Sequence, residues 1–351
     1  MRTITYAQAI NEAQDICLDH FPEAILMGLG VPDTTGVFGT TTGLQEKYGP
    51  ERVFDIPLSE NAMTGVALGA AITGSRPIFT HHRVEFSLVA IEQIINQAAK
   101  WHFMFNGQMS APLTIRMVIG RGWGQGPQHS QSLQALFAHI PGLKVVMPTT
   151  PEDAKGLLIS SIADDNPVIF LEHRWLHGVT GTVEDGYRSE PLGTCKLRRS
   201  GSDVSVVATS YMTLEALRAA DILSKVGVEV DVIDVRTIRP LDTATIVDSV
   251  KRTGRLVIAD TGHVEFGVSS EISASVVEHA FDSLTSSPIR VGLPEYPTPT
   301  GISLAKNYYP TAREIVAACL ELTDRAHLMS DLRFEERWNS GQPDTDFSGP
   351  F

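Results

Sequence analysis

The sequence is poor in cysteine and in basic residues, and it has no long apolar run. Its three cysteines, Cys17, Cys195 and Cys319, form no Cys-x-x-Cys pair, so neither a disulfide framework nor a zinc site is indicated. This cysteine usage favours a reducing compartment. No apolar stretch reaches the roughly 18 residues that a membrane span needs, and the N-terminal residues lack a signal-peptide core. We therefore expect a cytoplasmic protein with no membrane segment.

Acidic residues outnumber basic ones. The chain has 41 Asp and Glu against 28 Lys and Arg, which gives a formal net charge of -13. Nucleic acids and anionic membrane surfaces require a basic protein face. We therefore expect small-molecule or protein partners, and no nucleic-acid or membrane partner.

Strand and helix patterns alternate in both halves of the chain, which predicts an α/β fold of two domains with parallel or mixed sheets. The first domain is expected over residues 1–175 and the second over residues 204–325. Residues 176–203 lose periodicity and gather Gly, Arg and Thr, which is typical of a linker. Residues 326–351 contain many Gly, Pro and Asp residues and are predicted to form an extended or disordered tail.

Two capping boxes predict where the first and last helices begin. They pair Thr5 with Gln8, and Thr311 with Glu314. In this motif the threonine side chain caps a backbone N–H of the first turn, while the Gln or Glu side chain returns to the N–H of the cap residue.

The stretch FDIPLSENAMTG (residues 54–65) places the carboxylate of Glu60 between a short strand and a helix of small residues. In α/β folds, ligands commonly bind where strands end and helices begin, and Gly and Ala let a flat ligand or another backbone come close. The alternative is that Glu60 only complements the helix dipole as a first-turn residue. The residues by themselves leave both interpretations open.

Histidines stand at two further positions that could carry chemistry. His81 and His82 are adjacent in a loop just before Phe86, and His129 lies in the string Gln128-His129-Ser130-Gln131. Paired histidines are a weak metal signal, because catalytic zinc sites use three protein ligands. Histidine is also suited to proton transfer near neutral pH, so His129 is either a structural or a catalytic residue.

Taken together, these strings resemble the beta chain of the decarboxylating component of thiamine diphosphate-dependent 2-oxoacid dehydrogenases, of the pyruvate, acetoin and branched-chain types. The resemblance covers roughly residues 3–325. The strings that carry it lie around Glu60, at Phe86 with residues 91–100, at Gln128–Gln131 and at Asp234–Asp242. The resemblance implies a transketolase-like pyrimidine-binding domain followed by a transketolase C-terminal domain.

The resemblance also implies roles for individual side chains. In the family, the glutamate that matches Glu60 hydrogen-bonds a ring nitrogen of the cofactor's aminopyrimidine and stabilises its imino tautomer, which removes the C2 proton. A largely buried carboxyl would suit this role, because burial helps to keep it protonated. Phe86 is predicted to pack on the pyrimidine ring, and His82 to lie beside it in the cofactor-binding loop. His129 is predicted to handle protons on the substrate side.

The diphosphate end of the cofactor is expected on another chain. In the family, a Gly-Asp-Gly motif on a separate alpha chain holds the diphosphate and magnesium, and no Gly-Asp-Gly occurs in this sequence. The resemblance therefore implies an α₂β₂ heterotetramer in which magnesium lies on the alpha chain. It also makes a lipoyl-bearing acyltransferase a candidate partner.

A potassium ion is a further candidate ligand. In mammalian relatives potassium is held by carbonyls and an aspartate, and the matching positions here are Leu113, Ser161, Ile162, Asp164 and Asn166. The alternative is an ordinary Asp/Asn turn, and the residues leave both open.

We therefore predict a beta subunit that binds the aminopyrimidine and transfers an acyl or aldehyde unit after decarboxylation of a small 2-oxoacid. One alternative is a carboligase subunit that makes acyloin or transketolase-type products, and another is a non-catalytic assembly subunit. The retention of Glu60, Phe86 and His129 favours an enzyme. Two departures from the family, at Leu29-Gly30, where relatives carry acidic residues, and at His81-His82, leave the substrate and acceptor open.

Overall fold

The computed structural model describes residues 1–122 and 124–334, which fall into two compact units. The first contains residues 1–122 and 128–192, and the second contains residues 124–127 and 193–334. Both units alternate strands with helices, which confirms the predicted fold of two α/β domains.

The strands of the first unit build a parallel sheet and a separate antiparallel pair. They are β1 (Arg2–Thr5), β2 (Ala24–Gly28), β3 (Val53–Phe54), β4 (Arg76–His81), β5 (Thr114–Ile119), β6 (Lys144–Val146), β7 (Val168–His173) and β8 (Thr180–Val183). Six of them lie in the order β6-β7-β5-β4-β2-β3, all parallel, while β1 pairs with β8 antiparallel. Every residue of β5 and β7 is buried, as expected for a parallel sheet covered on both faces.

Six α-helices belong to the described part of the first unit. They are α1 (Tyr6–His20), α2 (Leu44–Tyr48), α3 (Glu60–Ile72), α4 (Ala99–Met104), α5 (Gln134–Ala138) and α6 (Pro151–Ala163). The capping box of Thr5 and Gln8 is present at the start of α1, which confirms that prediction. Thr150 accepts a hydrogen bond from the Asp153 N–H and places Pro151 in the first turn of α6, a position where proline needs no N–H partner.

The segment from Val84 to Met104 is not one continuous α-helix. A 3₁₀ helix, Val84–Leu88, is followed by a π-helix, Gln93–Ala98, and only then by α4. A π-turn changes the hydrogen-bond pattern without changing the kind of residues that form it. Helical periodicity therefore could not reveal it.

The second unit is built on one mixed sheet. Its strands are β9 (Lys196–Arg199), β10 (Val204–Ala208), β11 (Val230–Asp234), β13 (Leu256–His263) and β14 (Ile289–Leu293), while the short strand β12 (Thr237–Arg239) of this unit lies outside that sheet. The sheet order is β14-β13-β10-β11-β9, with β9 antiparallel to β11 and the other pairs parallel. The α-helices are α7 (Tyr211–Ser224), α8 (Thr243–Thr253), α9 (Val268–Ala280), α10 (Ile302–Ala305) and α11 (Ala312–Leu322). The capping box of Thr311 and Glu314 starts α11 as predicted.

The predicted linker and tail contain more structure than their polar composition suggested. The linker range 176–203 includes β8 and β9, because pairing with neighbouring strands supplies the order that local periodicity lacks. A 3₁₀ helix, Ala326–Asp331, opens the predicted tail, and Leu328, Met329, Leu332 and Phe334 pack against the core of the second unit. The rest of that predicted tail, residues 335–351, lies outside the described residues.

Two further features are the state of the cysteines and the length of the helices. Cys17, Cys195 and Cys319 are free thiols, as their spacing predicted. Among residues 1–122 and 124–334, no helix combines the length and apolar character that a bilayer crossing requires.

Candidate active site

Asp55 connects the loop after β2 to the end of β3 by hydrogen bonds. Its Oδ1 accepts hydrogen bonds from the Gly30 N–H at 2.8 Å and from the Ile56 N–H at 2.9 Å. The loop and the stretch that leads into α3 are thereby held side by side at the carboxyl end of the parallel sheet, the edge where ligand sites of α/β folds lie.

Glu60 is the first residue of α3. Ser59 is the N-cap residue of this helix, but its side chain makes no capping hydrogen bond. The Glu60 residue is half-buried in the single chain, less than the largely buried carboxyl that the sequence suggested. It is therefore accessible to a ligand or to a second chain.

Helix α3 packs against the 3₁₀ helix that carries Phe86 and against the π-helix that follows it. Small residues allow this approach: a Cβ added to Gly65 would lie 3.2 Å from Gln93 Oε1, closer than most real contacts. Gly65 thus makes room for the Gln93 side chain, whereas a Cβ at Gly69 would meet nothing within 4 Å.

The Phe86 and His129 rings are in contact. Their centroids are 5.6 Å apart and their planes lie at 81°, the edge-to-face geometry that aromatic rings favour. Phe86 is half-buried and His129 is exposed. Two side chains from separate sequence motifs thus meet at one place.

The two adjacent histidines have opposite environments. His81 ends β4 in the core, and burial, with the neighbouring His82, lowers the pKa of its imidazole to about 3. His82 is half-buried and donates from Nε2 to the carbonyl of Leu29. Burial lowers the pKa of His82, although the Leu29 carbonyl and the charges of Asp33 and Asp55 oppose the shift. Only His82 is therefore placed for contact with a ligand.

Acidic groups remain near Leu29-Gly30 although neither residue is acidic. A Cβ added to Gly30 would lie 3.0 Å from Asp33 Oδ2 and 3.3 Å from His82 Cε1. Gly30 has φ +68°, which glycine adopts without strain. The missing side chain leaves room for Asp33 and His82 at this position, so the loop retains carboxylates through Asp33 and Asp55.

Two of the predicted potassium ligands, Ile162 and Asp164, have oxygens that already contact cationic side chains. Arg76 donates from one guanidinium nitrogen to the carbonyls of Ile162 and Asp164, both at 2.9 Å. Lys144 pairs with the Asp164 carboxylate, whose other oxygen accepts the Asn166 N–H at 2.9 Å. The positive charges of Arg76 and Lys144 thus lie beside these oxygens. This arrangement favours the alternative of an ordinary turn, which requires no ion.

The other two predicted potassium ligands are carbonyls with protein donors. The Leu113 carbonyl accepts the Val168 N–H at 3.0 Å, and the Ser161 carbonyl accepts the Thr114 hydroxyl at 2.9 Å. Within the part of the chain that the structure describes, no cluster of three or more His, Cys, Asp or Glu side chains could hold a metal ion.

Sequence reasoning did not single out Asp55, Glu85 or Arg76. Glu85 is a buried carboxylate in the Phe86 turn, and its only sequence signal is an acidic residue between two apolar ones. Arg76 is the first residue of the apolar strand β4. An arginine at the start of a strand is common and gives no functional signal. Their partners are distant in sequence, so no local pattern could have identified them.

Comparisons with known proteins cover nearly the whole chain. The family described as "Transketolase, pyrimidine binding domain" matches residues 2–178, and "Transketolase, C-terminal domain" matches residues 193–315. Both were expected from the resemblance, which is confirmed.

Two relatives show how far the similarity extends. The acetoin:2,6-dichlorophenolindophenol oxidoreductase subunit beta of Cupriavidus necator is 42% identical over 90% of this chain and 96% of its own length. The mitochondrial pyruvate dehydrogenase E1 component subunit beta-2 of Oryza sativa subsp. japonica is 42% identical over 93% of this chain and 88% of its own length.

A solved structure supports the fold at lower identity. A chain titled "Split gene transketolase, inactive beta4 tetramer" aligns with a TM-score of 0.75 and 24% identity, over 93% of this chain and 99% of that one. At that identity the match speaks for the transketolase-like fold alone. With the full-length relatives, it follows that this chain belongs to the family of beta subunits of thiamine diphosphate-dependent 2-oxoacid and acetoin dehydrogenases.

Proposed function

We propose that this chain, together with an alpha chain, decarboxylates a small 2-oxoacid and passes the acyl or aldehyde unit to an acceptor. One observation carries the proposal: the 3₁₀ helix Val84–Leu88 packs against α3, which begins at Glu60, and its Phe86 ring contacts His129. Two of the residues that the family resemblance assigns to chemistry are therefore in contact, and the third begins a helix that packs against the Phe86 turn.

The side chains offer the groups that an aminopyrimidine ring needs. Glu60 would hold a proton at a ring nitrogen, and its partial exposure leaves it accessible. Phe86 would pack against the ring as an aromatic surface. Thiamine diphosphate, when bound, supplies the electron sink that 2-oxoacid decarboxylation requires.

His129 and His82 would act on the substrate side. His129 is exposed and contacts the edge of the Phe86 ring, so a proton on its imidazole can be exchanged with a neighbouring ligand. His82 is oriented by the Leu29 carbonyl, which ties the Nε2 proton to the backbone and leaves Nδ1 as the nitrogen for other contacts.

The diphosphate and magnesium belong to the alpha chain in this proposal, within an α₂β₂ assembly. Binding a diphosphate needs backbone N–H groups at a helix start, or carboxylates that hold a divalent ion. The absence of Gly-Asp-Gly from the sequence and its net charge of -13 support this division of labour.

Product analysis of the complex with its alpha chain tests the proposal. The names of the relatives make pyruvate and acetoin the first substrates, with reductive acylation of added lipoamide and reduction of dichlorophenolindophenol as readouts. Acyl-lipoamide from pyruvate would support both the proposed reaction and a lipoyl-bearing acyltransferase as partner. No turnover of any 2-oxoacid or of acetoin would contradict the proposal and favour a non-catalytic assembly subunit.

A carboligase is the second candidate. The observation in its favour is the loop that departs from the family, in which His82, Asp33 and Asp55 surround Gly30. A different set of side chains on the substrate side of the site would suit a different acceptor. Acyloin formation from pyruvate without a lipoyl acceptor would identify this activity.

A cytoplasmic location remains a prediction, because the name of the rice relative places that protein in mitochondria.

A further inference from the structure

A buried carboxylate without an assigned role lies next to Phe86. Glu85 is only 8% exposed, and its Oε1 accepts the Gln131 N–H at 2.5 Å. Its Oε2 is buried and has no hydrogen-bond partner among the described residues. A buried carboxylate oxygen without a partner is costly, so this arrangement calls for a functional explanation.

The segment that contains His129 is held by the same 3₁₀ helix at two points. Phe86 contacts the His129 ring, and Glu85 accepts from Gln131, two residues further on. Because Glu85 and Phe86 are adjacent in one turn of the 3₁₀ helix Val84–Leu88, a shift of either contact moves the other.

The end of β5 holds the segment from its other side. The Gly120 N–H donates to the Gln131 carbonyl at 3.2 Å, and the Gly120 carbonyl accepts from Arg83. Gly120 has φ +77°, and a Cβ there would lie 2.5 Å from His173 Nε2, so only glycine fits. Both backbone polar groups of Gln131 are thereby fixed, the carbonyl by a rigid strand end and the N–H by Glu85.

We propose that Glu85 is a positioning residue that holds the His129 segment in place and whose negative charge acts on the His129 imidazole during proton transfer. This inference rests on the proposed function, because it assigns Glu85 a role in the chemistry of His129. Glu85 itself need not touch substrate or cofactor.

The electrostatics of the site agree with this role. Burial raises the pKa of the Glu85 carboxyl, while the N–H groups of Gln131 and of Glu85 itself and the charges of Arg83 and His129 oppose the rise. The charged or titratable side chains that act on Glu85 are therefore Arg83 and His129. A carboxylate with a raised pKa loses its charge at a higher pH than an ordinary glutamate.

Two substitutions separate the positioning from the charge. Glu85→Gln keeps an oxygen that can accept from the Gln131 N–H but removes the charge, whereas Glu85→Leu removes both. Glu92→Gln is the matched control, because Glu92 is an exposed carboxylate just before the π-helix. All variants are prepared as the complex with the alpha chain.

The first readout is hydrogen exchange of the peptide that contains Gln131, measured without substrate. We expect faster exchange at Gln131 in Glu85→Leu, and wild-type exchange in Glu85→Gln and Glu92→Gln. Unchanged exchange in Glu85→Leu would overturn the positioning role. This readout needs no catalysis, so it stands even if the proposed reaction fails.

The second readout is the pH dependence of acyl transfer in single turnovers. Wild type should lose rate as the pH falls and Glu85 takes up a proton, and Glu85→Gln should lack this acid limb. Glu85→Leu should lose up to about a hundredfold in rate through misplacement of His129. A wild-type pH profile in Glu85→Gln would overturn the charge role. Wild-type complex that decarboxylates no 2-oxoacid would instead contradict the proposed function.

Discussion

The ring of His129 meets the ring of Phe86 edge to face, with centroids 5.6 Å apart. This contact joins a residue predicted to face the cofactor with one predicted to face the substrate. Since His129 is otherwise exposed, Phe86 limits the orientations that the imidazole can adopt. We therefore expect a substitution of Phe86 to alter the catalytic contribution of His129.

Glu60→Gln should leave the fold intact and remove most activity. An amide cannot hold and release the proton that the carboxyl carries, and acid–base groups typically contribute about 10² to 10⁴ in rate. Exchange of the cofactor's C2 proton in the assembled complex measures the step directly. The matched control is Glu46→Gln, an exposed carboxylate in the first turn of α2. C2 exchange at the wild-type rate in Glu60→Gln would show that Glu60 has another role.

His129→Ala should slow acyl transfer more than the first decarboxylation. The imidazole is exposed beside Phe86, where it can act on a substrate proton after carbon dioxide has left. Single-turnover measurement of each half-reaction gives the two rates separately. His139→Ala, an exposed histidine just after α5, serves as the control. Equal losses in both half-reactions would contradict the divided role.

Catalysis and stability of the wild type should not depend on potassium. The Arg76 guanidinium already donates to the Ile162 and Asp164 carbonyls, and a cation bound beside it would be repelled. We expect equal rates and equal Tm values in potassium and sodium at the same ionic strength. A specific potassium requirement would show that the ion binds in spite of Arg76.

Removal of this guanidinium should create a potassium effect. Arg76→Met should lower the free energy of unfolding by about 2 to 3 kcal/mol, the cost of losing charged hydrogen bonds, and potassium should restore part of it. Arg52→Met is the matched control, because Arg52 also donates to backbone carbonyls, those of Leu18, Phe21 and Ala24. Its stability should fall without any response to potassium.

The isolated chain should bind little or no thiamine diphosphate. The diphosphate is proposed to require groups of the alpha chain, and this sequence has no Gly-Asp-Gly. Titration calorimetry with magnesium and the cofactor, first on this chain and then on the complex, measures the difference. Tight magnesium-dependent binding to the chain by itself would contradict the two-chain site.

Stability should fall as the pH drops below about 6.5, in part because of His81. Its folded-state pKa is about 3 against an ordinary value of 6.5, so the unfolded chain takes up a proton that the folded chain rejects. The contribution is complete above pH 6.5 and is lost as the pH falls toward 3, by about 2 kcal/mol between pH 6.5 and 5. Denaturant unfolding at these two pH values measures it.

The comparison variant for this effect is His81→Leu. It should lose less stability than wild type over the same pH interval, because no imidazole remains to be protonated in the unfolded chain. The exposed His102 provides the control, and His102→Asn should keep the wild-type pH dependence. An unchanged pH dependence in His81→Leu would show that other groups cause the acid sensitivity.

Much of the fold could be predicted from the sequence because its signals are local. The capping boxes at Thr5 and Thr311, and Pro151 in the first turn of α6, mark helix starts where the structure has them. The buried strands read as continuous apolar runs. The π-helix Gln93–Ala98 was missed, since its cause is a hydrogen-bond shift that leaves composition unchanged.

The sequence by itself determined which chemical groups are candidates for the site. The motifs of Glu60, Phe86 and His129 are each recognisable along the chain, as is the absence of a Gly-Asp-Gly motif. Only the tertiary structure decided which of them meet. Strands β4 and β5 are parallel neighbours, so the segments that follow them leave the same edge of the sheet and come together. That placement brings Glu85 to the Gln131 N–H and Phe86 to His129, contacts between distant segments that no local pattern encodes.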